Sequence, residues 1–218
     1  MKLVAVGDLH GDTNNLFRLL DEERPDGLLC AGDWGDPGQI SDAVWADLLA
    51  RAPILSVFGN HDDLEMLTAL RNINGSPVLL SQGERRDGFC GISVAGVSGI
   101  WAKSHRLPHY VTDEDVAGWA ASLAAGPPVD VLVTHGGPLG VADRTSSGRP
   151  GGQRCFLELL KAIQPRVYLC GHLHVAQQRD LSDPPCQVFN TGALPRGHYV
   201  VLTASENGGA LAAEARRL

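Results

Sequence analysis

The sequence predicts an α/β fold, and two observations carry that prediction. Short runs rich in Val, Ile and Leu recur along all 218 residues, and helical patterns lie between several of them. Alternation of strand and helix is the signature of this class. In order, the strand-like runs are Leu3 to Val6, Gly27 to Ala31, Ile54 to Phe58, Ile92 to Val97, Val129 to Val133, Val167 to Cys170, Val188 to Asn190 and Tyr199 to Thr203. Apolar residues at helical spacing run over Asn14 to Glu23, Ser41 to Arg51, Leu64 to Arg71, Thr112 to Ala124 and Gln153 to Ile163. Thr112 and Asp115 stand three apart at the start of the fourth helix, as a capping pair does. Beyond the last helix the strands follow one another closely, which predicts a second, more antiparallel sheet. The long irregular stretches Gly99 to Tyr110 and Gly136 to Gly152 are candidate substrate loops.

A chain of this length fits one compact domain, residues 1–218, and buries roughly 70% of its unfolded surface. No apolar run approaches the roughly 20 residues needed to cross a bilayer, so no membrane partner is expected. Met1-Lys2 leads into only four apolar residues before Gly7-Asp8, too few for a signal peptide, and the start reads as the first strand. Five cysteines cannot all pair, and Cys30 and Cys170 sit in apolar runs; a reducing, cytoplasmic setting is expected. The absence of a C-x-x-C pair disfavours thiolate-bound zinc. A net charge of −7 argues against a broad basic surface holding nucleic acid, so no stable nucleic-acid partner is expected. Arginine outnumbers lysine fifteen to three, and Ala and Gly are abundant, which points to a GC-rich bacterial genome.

Five motifs fall at the ends of these runs: Asp8-Leu9-His10, Gly32-Asp33, Gly59-Asn60-His61-Asp62, Thr134-His135-Gly136 and Gly171-His172-Leu173-His174. In open α/β sheets ligands gather beyond the carboxyl ends of the strands, so the placement converges distant residues. Each fragment has a plain structural alternative. Asp-x-His also serves as a turn or cap beside Asp12 and Thr13, Gly-Asp is a common turn pair, and a lone histidine after a strand is often structural. Chemistry favours the other reading of the ordered set. Asp8 and His10 can point at one ion; Asp33 has two oxygens able to bridge a cation pair about 3.5–4 Å apart. Asn60 offers a neutral carbonyl, while His61 can face a substrate with Asp62 available to orient its ring. His172 and His174 alternate with Leu173 and share one face of an extended segment. Carboxylate, amide and imidazole without thiolate suit manganese or iron first, with zinc, cobalt or nickel as alternatives.

This motif series, covering Asp8 to His174, resembles that of the calcineurin-like metallophosphoesterases. The resemblance implies a four-layer α/β/β/α sandwich of two mixed sheets flanked by helices. It implies Asp8, His10, Asp33 and His174 around one divalent ion, and Asp33, Asn60, His135 and His172 around a second. His61 matches the histidine that contacts the phosphate and assists the leaving group, with Asp62 beside it. Thr134 to Gly140, Asp143, Gly151-Gly152, Cys155 to Leu160 and Gln164-Pro165 are further similar to small bacterial relatives of the mammalian metallophosphoesterase-domain-containing (MPPED) proteins. Asn190-Thr191-Gly192-Ala193 resembles that group's terminal Asn-Pro-Gly-Ser turn, with Thr191 in place of proline and Ala193 in place of serine.

The expected activity is metal-dependent hydrolysis of a small phosphoester, with a metal-bound hydroxide attacking phosphorus and a phosphodiester as the leading substrate. A phosphomonoesterase uses the same ligands. A nuclease lacks a basic groove here, and a non-catalytic scaffold would not need every ligand plus His61. Arg144, Arg149 and Arg154 beside the Gly-rich loop are candidate phosphate-binding residues, with solvated loop charge as the alternative. Trp101, His105, His109 and Tyr110 are candidates to stack on a base or aryl group, with ordinary loop packing as theirs. His198 has no assigned task. The sequence leaves oligomeric state open.

Overall fold

The computed structural model describes residues 1–204 and 210–218. Each expected strand and helix is present, with no end shifted by more than three residues. The first half alternates strictly: β1 (Lys2–Val6), α1 (Thr13–Glu23), β2 (Gly27–Cys30), α2 (Asp42–Arg51), β3 (Ile54–Ser56) and α3 (Leu64–Ala69). Then come β4 (Glu84–Phe89), β5 (Ile92–Val97), β6 (Ile100–Trp101), β7 (Tyr110–Val111), α4 (Asp113–Ala124), β8 (Val131–Thr134), α5 (Arg154–Ile163) and β9 (Val167–Cys170). The chain closes with β10 (Gln177–Ser182), β11 (Pro185–Asn190), a short 3-10 turn (Leu194–Arg196), β12 (His198–Ala204) and β13 (Leu211–Arg217). Thr112 caps α4 through the expected box: its hydroxyl accepts from the Asp115 N–H, while Asp115 accepts from the Thr112 N–H.

Two large sheets form, one ordered β13-β12-β1-β2-β3 and the other β10-β11-β9-β8-β5-β4. β1, β2 and β3 are mutually parallel, as are β5, β8, β9 and β11. The expectation of a second, more antiparallel sheet toward the C-terminus is met in part: a second sheet is present, but the C-terminal strands divide between the two. β10 and β11 extend the second sheet, whereas β12 and β13 return to flank β1 antiparallel in the first.

Period-two alternation builds the layers. Leu3, Ala5, Leu29, Leu55, Val94, Val131, Val133, Val167, Leu169 and Phe189 point inward and form the core between the sheets. Their neighbours Val4, Val6, Leu28 and Cys30 point outward beneath Leu16 and Leu19 of α1, Trp45 and Leu48 of α2 and Leu67 of α3. On the far side, Ala95, Val97, Leu132, Tyr168 and Cys170 lie beneath Val116 and Leu123 of α4 and Phe156 and Leu159 of α5. Helix, sheet, sheet and helix therefore stack in four layers. Strands buried on both faces read as unbroken apolar runs, which is why the sequence exposes them so clearly. All five cysteines are free, four of them buried. Among the described residues no helix is long and apolar enough to cross a membrane.

Candidate metal centre

The motifs meet where the parallel strands of both sheets end. Asp8 and His10 follow β1, Asp33 follows β2, and Asn60 and His61 follow β3; His135 follows β8, and His172 and His174 follow β9. The connecting loops are stitched to one another by backbone hydrogen bonds. Leu9 and His10 N–H both donate to the Asp33 carbonyl (2.8 and 3.0 Å), Gly35 N–H to that of His61 (3.0 Å), and Gly171 N–H to that of His135 (3.1 Å).

Among the described residues, five of the nine non-glycine residues with positive φ are Asp8, His10, Asp33, His172 and His174. A left-handed backbone costs energy for any residue with a Cβ, and such positions concentrate where the surrounding structure imposes them for function. Here it turns each side chain inward immediately after a strand. Gly59 and Gly32 make the room. A Cβ on Gly59 would stand 2.1 Å from Asp33 Oδ1 and 2.5 Å from His135 Cε1, and Gly32, at φ +92°, would set one 2.8 Å from His135 Nδ1.

The cluster grades from a closed floor to an open mouth. The side chains of Asp8, Asp33 and His135 are at most 1% exposed, whereas those of His10, His174 and His61 are 30%, 43% and 46% exposed. Donor atoms of Asp8, His10, Asp33 and His174 lie within 4.8 Å of one another. Nε2 of His10 and Nε2 of His174 are 3.0 Å apart. Asp33 divides its carboxylate. Oδ1 accepts from the His61 N–H at 2.8 Å, and Oδ2 faces both His135 Nε2 (3.4 Å) and His10 Nε2 (3.9 Å). Asn60 Oδ1 lies 3.4 Å from His135 Nε2, and the His135 and His172 rings meet edge-on at 5.2 Å.

The donor chemistry fits divalent cations. His135 Nδ1 donates to the Ala31 carbonyl at 2.7 Å, which aims its Nε2 into the cluster, where a cation would displace the Nε2 proton. Asp8 Oδ1 accepts from the His172 N–H at 3.0 Å, but its buried Oδ2 has no hydrogen-bond partner. An unpaired buried acceptor is costly unless a cation or donor meets it. Burial pushes the Asp8 carboxyl up to about 7, with the Asp33 charge adding to the shift. Burial opposes charge on His135 too, yet Asp33 and Asp8 outweigh it and raise its pKa to about 9. Asp33 resists its own burial and stays well below the usual carboxylate range because charged His135 stands beside it. Burial, then the His135 charge, holds His172 down at about 4, and burial lowers His10 and His174, so these rings are neutral nitrogen donors.

One assignment from the sequence is corrected. Asp62 does not touch the His61 ring. Its Oδ2 accepts from the N–H groups of Asp33 (2.8 Å) and Gly59 (2.6 Å), and its Oδ1 from Trp34 (2.7 Å), so it braces the β2 and β3 loops. The partner of His61 Nδ1 is Asp36 Oδ1 at 3.0 Å. Chain adjacency pointed to Asp62, but Asp62 turns back toward its own loop, while Asp36 reaches the ring from the Gly32-to-Pro37 segment. Trp101, the stacking candidate, is held by local contacts. Its indole N–H donates to Asp113 Oδ1 at 3.0 Å, and its ring packs against the core under α4 and α5.

Arg144 and Arg149 lie in a braced, exposed loop. Arg144 Nη1 donates to Gly148 O at 3.2 Å, its backbone pairs with the Gln177 side chain in both directions, and buried Asp143 accepts from the Gly140 and Gly152 N–H groups. Arg149 stands exposed at the turn of this loop, its carbonyl accepting from the Thr145 N–H. Arg154 opens α5 and lines the groove between α4 and α5 with Asp113 and Ala117. Of the other aromatic candidates, His105 Nε2 pairs with Asp115 and the His109 ring meets Tyr110 edge-on at 4.9 Å. His198 opens β12 with its pKa lowered by burial.

A further layer comes from the turn Asn190 to Ala193. Buried Asn190 donates to the Gly171 carbonyl (2.8 Å) and accepts from the Gly192 N–H, while the Leu194 N–H donates to the Gly7 carbonyl, tying the turn to the residues before Asp8 and before His172. Thr191 Oγ1 reaches the Cys170 carbonyl at 3.2 Å, a bond that proline at this position would lack.

The family model of calcineurin-like phosphoesterases matches residues 1–176, a span that contains all the clustered residues. No curated protein matches the sequence. Among solved structures, TT1561 of Thermus thermophilus is similar at 15% identity and TM-score 0.68, covering 98% of this chain and 97% of its own. A dimetal phosphatase from Danio rerio is 12% identical with TM-score 0.68, covering 100% of this chain and 96% of its own. GAP50, the anchor in the inner membrane complex of Plasmodium, is 14% identical with TM-score 0.63, covering 100% and 84% respectively. At such identities these structures speak to the fold. With the motif series, the four layers and the converging donor set in place, the match over residues 1–176 settles the family: the chain belongs to the calcineurin-like phosphoesterases.

Proposed function

We propose that the chain is a dinuclear metal-dependent phosphodiesterase acting as a single domain over residues 1–218, with manganese or iron as its ions. The observation that carries this reading is the placement of Asp33 Oδ2 between the imidazole nitrogens of His10 and His135. One carboxylate oxygen facing two nitrogen donors suits a bridge. Asp8, His10 and His174 complete one donor set, and Asn60, His135 and His172 the other. Held by these residues, two divalent ions would supply a nucleophile at neutral pH and would neutralise charge on the phosphoryl oxygens.

The protein's own residues do the rest. His61 projects at the mouth with its Nδ1 held by Asp36, so its Nε2 faces outward to meet the departing oxygen. A carboxylate at Nδ1 fixes the orientation of the ring, and a proton carried on Nε2 is then aimed at the leaving group. Asp62 keeps the loops carrying Asp33 and His61 in register. Preference for a diester is supported by the open mouth, where His10, His174 and His61 are 30–46% exposed and leave room for a second ester group.

The test is hydrolysis of bis-p-nitrophenyl phosphate against p-nitrophenyl phosphate by metal-stripped protein resupplied with Mn²⁺, alongside Asn60→Ala. Diester preference that Asn60→Ala abolishes is the expected result. Monoester preference would redirect the reading to a phosphatase, and inactivity on both would favour a scaffold.

A further inference from the structure

Arg196 touches the metal cluster yet takes no part in the chemistry above. It sits on the 3-10 turn after the Asn190-to-Ala193 segment, exposed, with Nη1 donating to the backbone carbonyl of His174 at 3.3 Å. Among the described residues it is the one arginine or lysine whose side chain hydrogen-bonds a cluster residue. Its mount is stiff. Pro195 lies in the turn, Gly197 closes it at φ +79°, the Leu194 N–H is fixed to Gly7 O (3.2 Å), and Arg217 Nε donates to Arg196 O (3.1 Å). No carboxylate among the described residues lies within ion-pair distance of Arg196, although Arg18, Arg51, Arg85, Arg86 and Arg216 all have such partners. With Nη1 tied to the His174 carbonyl, Nε and Nη2 are left to grip an oxyanion. The ring of His10 meets His61 at 5.2 Å and His174 at 4.8 Å. A substrate lying over His10 with its leaving group at His61 would therefore extend its retained part toward His174 and Arg196.

We propose that Arg196 binds a second anionic group on the retained part of the substrate, so that the preferred substrate is a phosphodiester or phosphoanhydride with another phosphate beside the scissile one. The inference rests on the phosphoesterase reading and narrows it. What sets Arg196 apart from the chain's other unpaired arginines is its bond to a cluster residue, which places a positive charge where a negative ligand would bind. It is a specificity residue, placed to one side of the reacting atoms.

Calorimetric binding of methylenediphosphonate and of orthophosphate to the manganese-loaded full chain tests this, comparing wild type with Arg196→Gln and Arg196→Lys. Arg196→Gln should weaken the diphosphonate about tenfold and orthophosphate by no more than about twofold, with Arg196→Lys in between. Equal loss for both anions, or loss for neither, overturns the proposal. Elemental analysis checks that two ions remain bound. Should Arg196→Gln have lost them, the ratio of the two affinities in Arg196→Lys decides: a fall supports the proposal, and an unchanged ratio overturns it. Failure of the wild type to hydrolyse either nitrophenyl ester would refute the phosphoesterase reading and leave this comparison readable, because binding needs no turnover.

Discussion

Replacing Gly59 with alanine adds one methyl group at the point where the two proposed ion sites join. Its Cβ would lie 2.1 Å from Asp33 Oδ1 and 2.6 Å from His135 Nε2, more than an ångström inside the 3.4 Å at which ordinary contact begins on the carboxylate side. Neither neighbour can yield freely. Asp33 Oδ1 is held by the His61 N–H, and the buried His135 ring is anchored on Ala31 O. Relief must therefore come from moving the carboxylate or the β3 loop by about 1 Å, a displacement that typically costs about 10²-fold in rate. Overpacking of this kind costs about 1–3 kcal/mol, which lowers Tm by several degrees in a chain of this size. The assay combines elemental analysis, thermal unfolding and kcat/KM on bis-p-nitrophenyl phosphate. Gly118→Ala, in α4 with nothing within 4 Å of its Cβ, is the control and should be neutral or stabilising. Two ions per chain, unchanged Tm and kcat/KM within about threefold of wild type in Gly59→Ala would refute the reasoning.

Asp33→Ala should lose both ions together, and the rise in Tm that Mn²⁺ gives the wild type, about 2.7 kcal/mol of stabilisation per site at 100-fold excess over Kd, should vanish with them; a variant still holding two ions would remove the bridge. His61→Ala should cut kcat by about 10²–10⁴-fold with metal content intact, and unchanged turnover would end its role. Asp36→Ala should cost less than His61→Ala, about tenfold in kcat, since it orients the ring without meeting substrate; an effect on metal content alone would assign Asp36 elsewhere. Glu23 supplies a pH test away from the site. Burial opposes its charge, but hydrogen bonds from Tyr199, Lys2 and Arg216 outweigh burial and depress its pKa below 4.5. A depressed carboxylate contributes stability that is present above its unfolded value and is lost as pH falls through the folded one. Urea unfolding between pH 3 and 5 should thus be less pH-dependent in Glu23→Gln than in wild type; identical slopes would contradict the assignment.

What the sequence made legible follows from burial. β1, β2, β8 and β9 are covered on both faces, so apolar runs mark them plainly. The strands that reading missed are edges or short ribbons: β4 (Glu84-Arg85-Arg86-Asp87), β10 (Gln177-Gln178-Arg179-Asp180) and β13 carry solvent-facing polar residues, and hydrogen bonding to a neighbour defines them more than composition does. The seven proposed metal donors were visible because strand ends announce them. Asp36, Asp62 in its bracing role and Arg196 were not. Each acts through a loop fold that no local period encodes, and only the Gly-Asp-Trp-Gly-Asp spacing gave a hint of Asp36.

The division of the donor set between the sheets has a consequence for unfolding. Asp8, His10, Asp33 and Asn60 hang from the β1-β2-β3 side, and His135, His172 and His174 from the β8-β9 side. The two sheets otherwise meet mainly through apolar contact, with scattered hydrogen bonds such as His135 Nδ1 to Ala31 O and the Gln187–Ala213 pair. An ion shared across that boundary converts two layers that could open separately into one cooperative unit, and its binding energy is felt wherever either layer must peel away. Amide exchange in β1 and in β8 should then slow by the same factor when the ions bind, whereas the outlying β13 edge should keep its own rate.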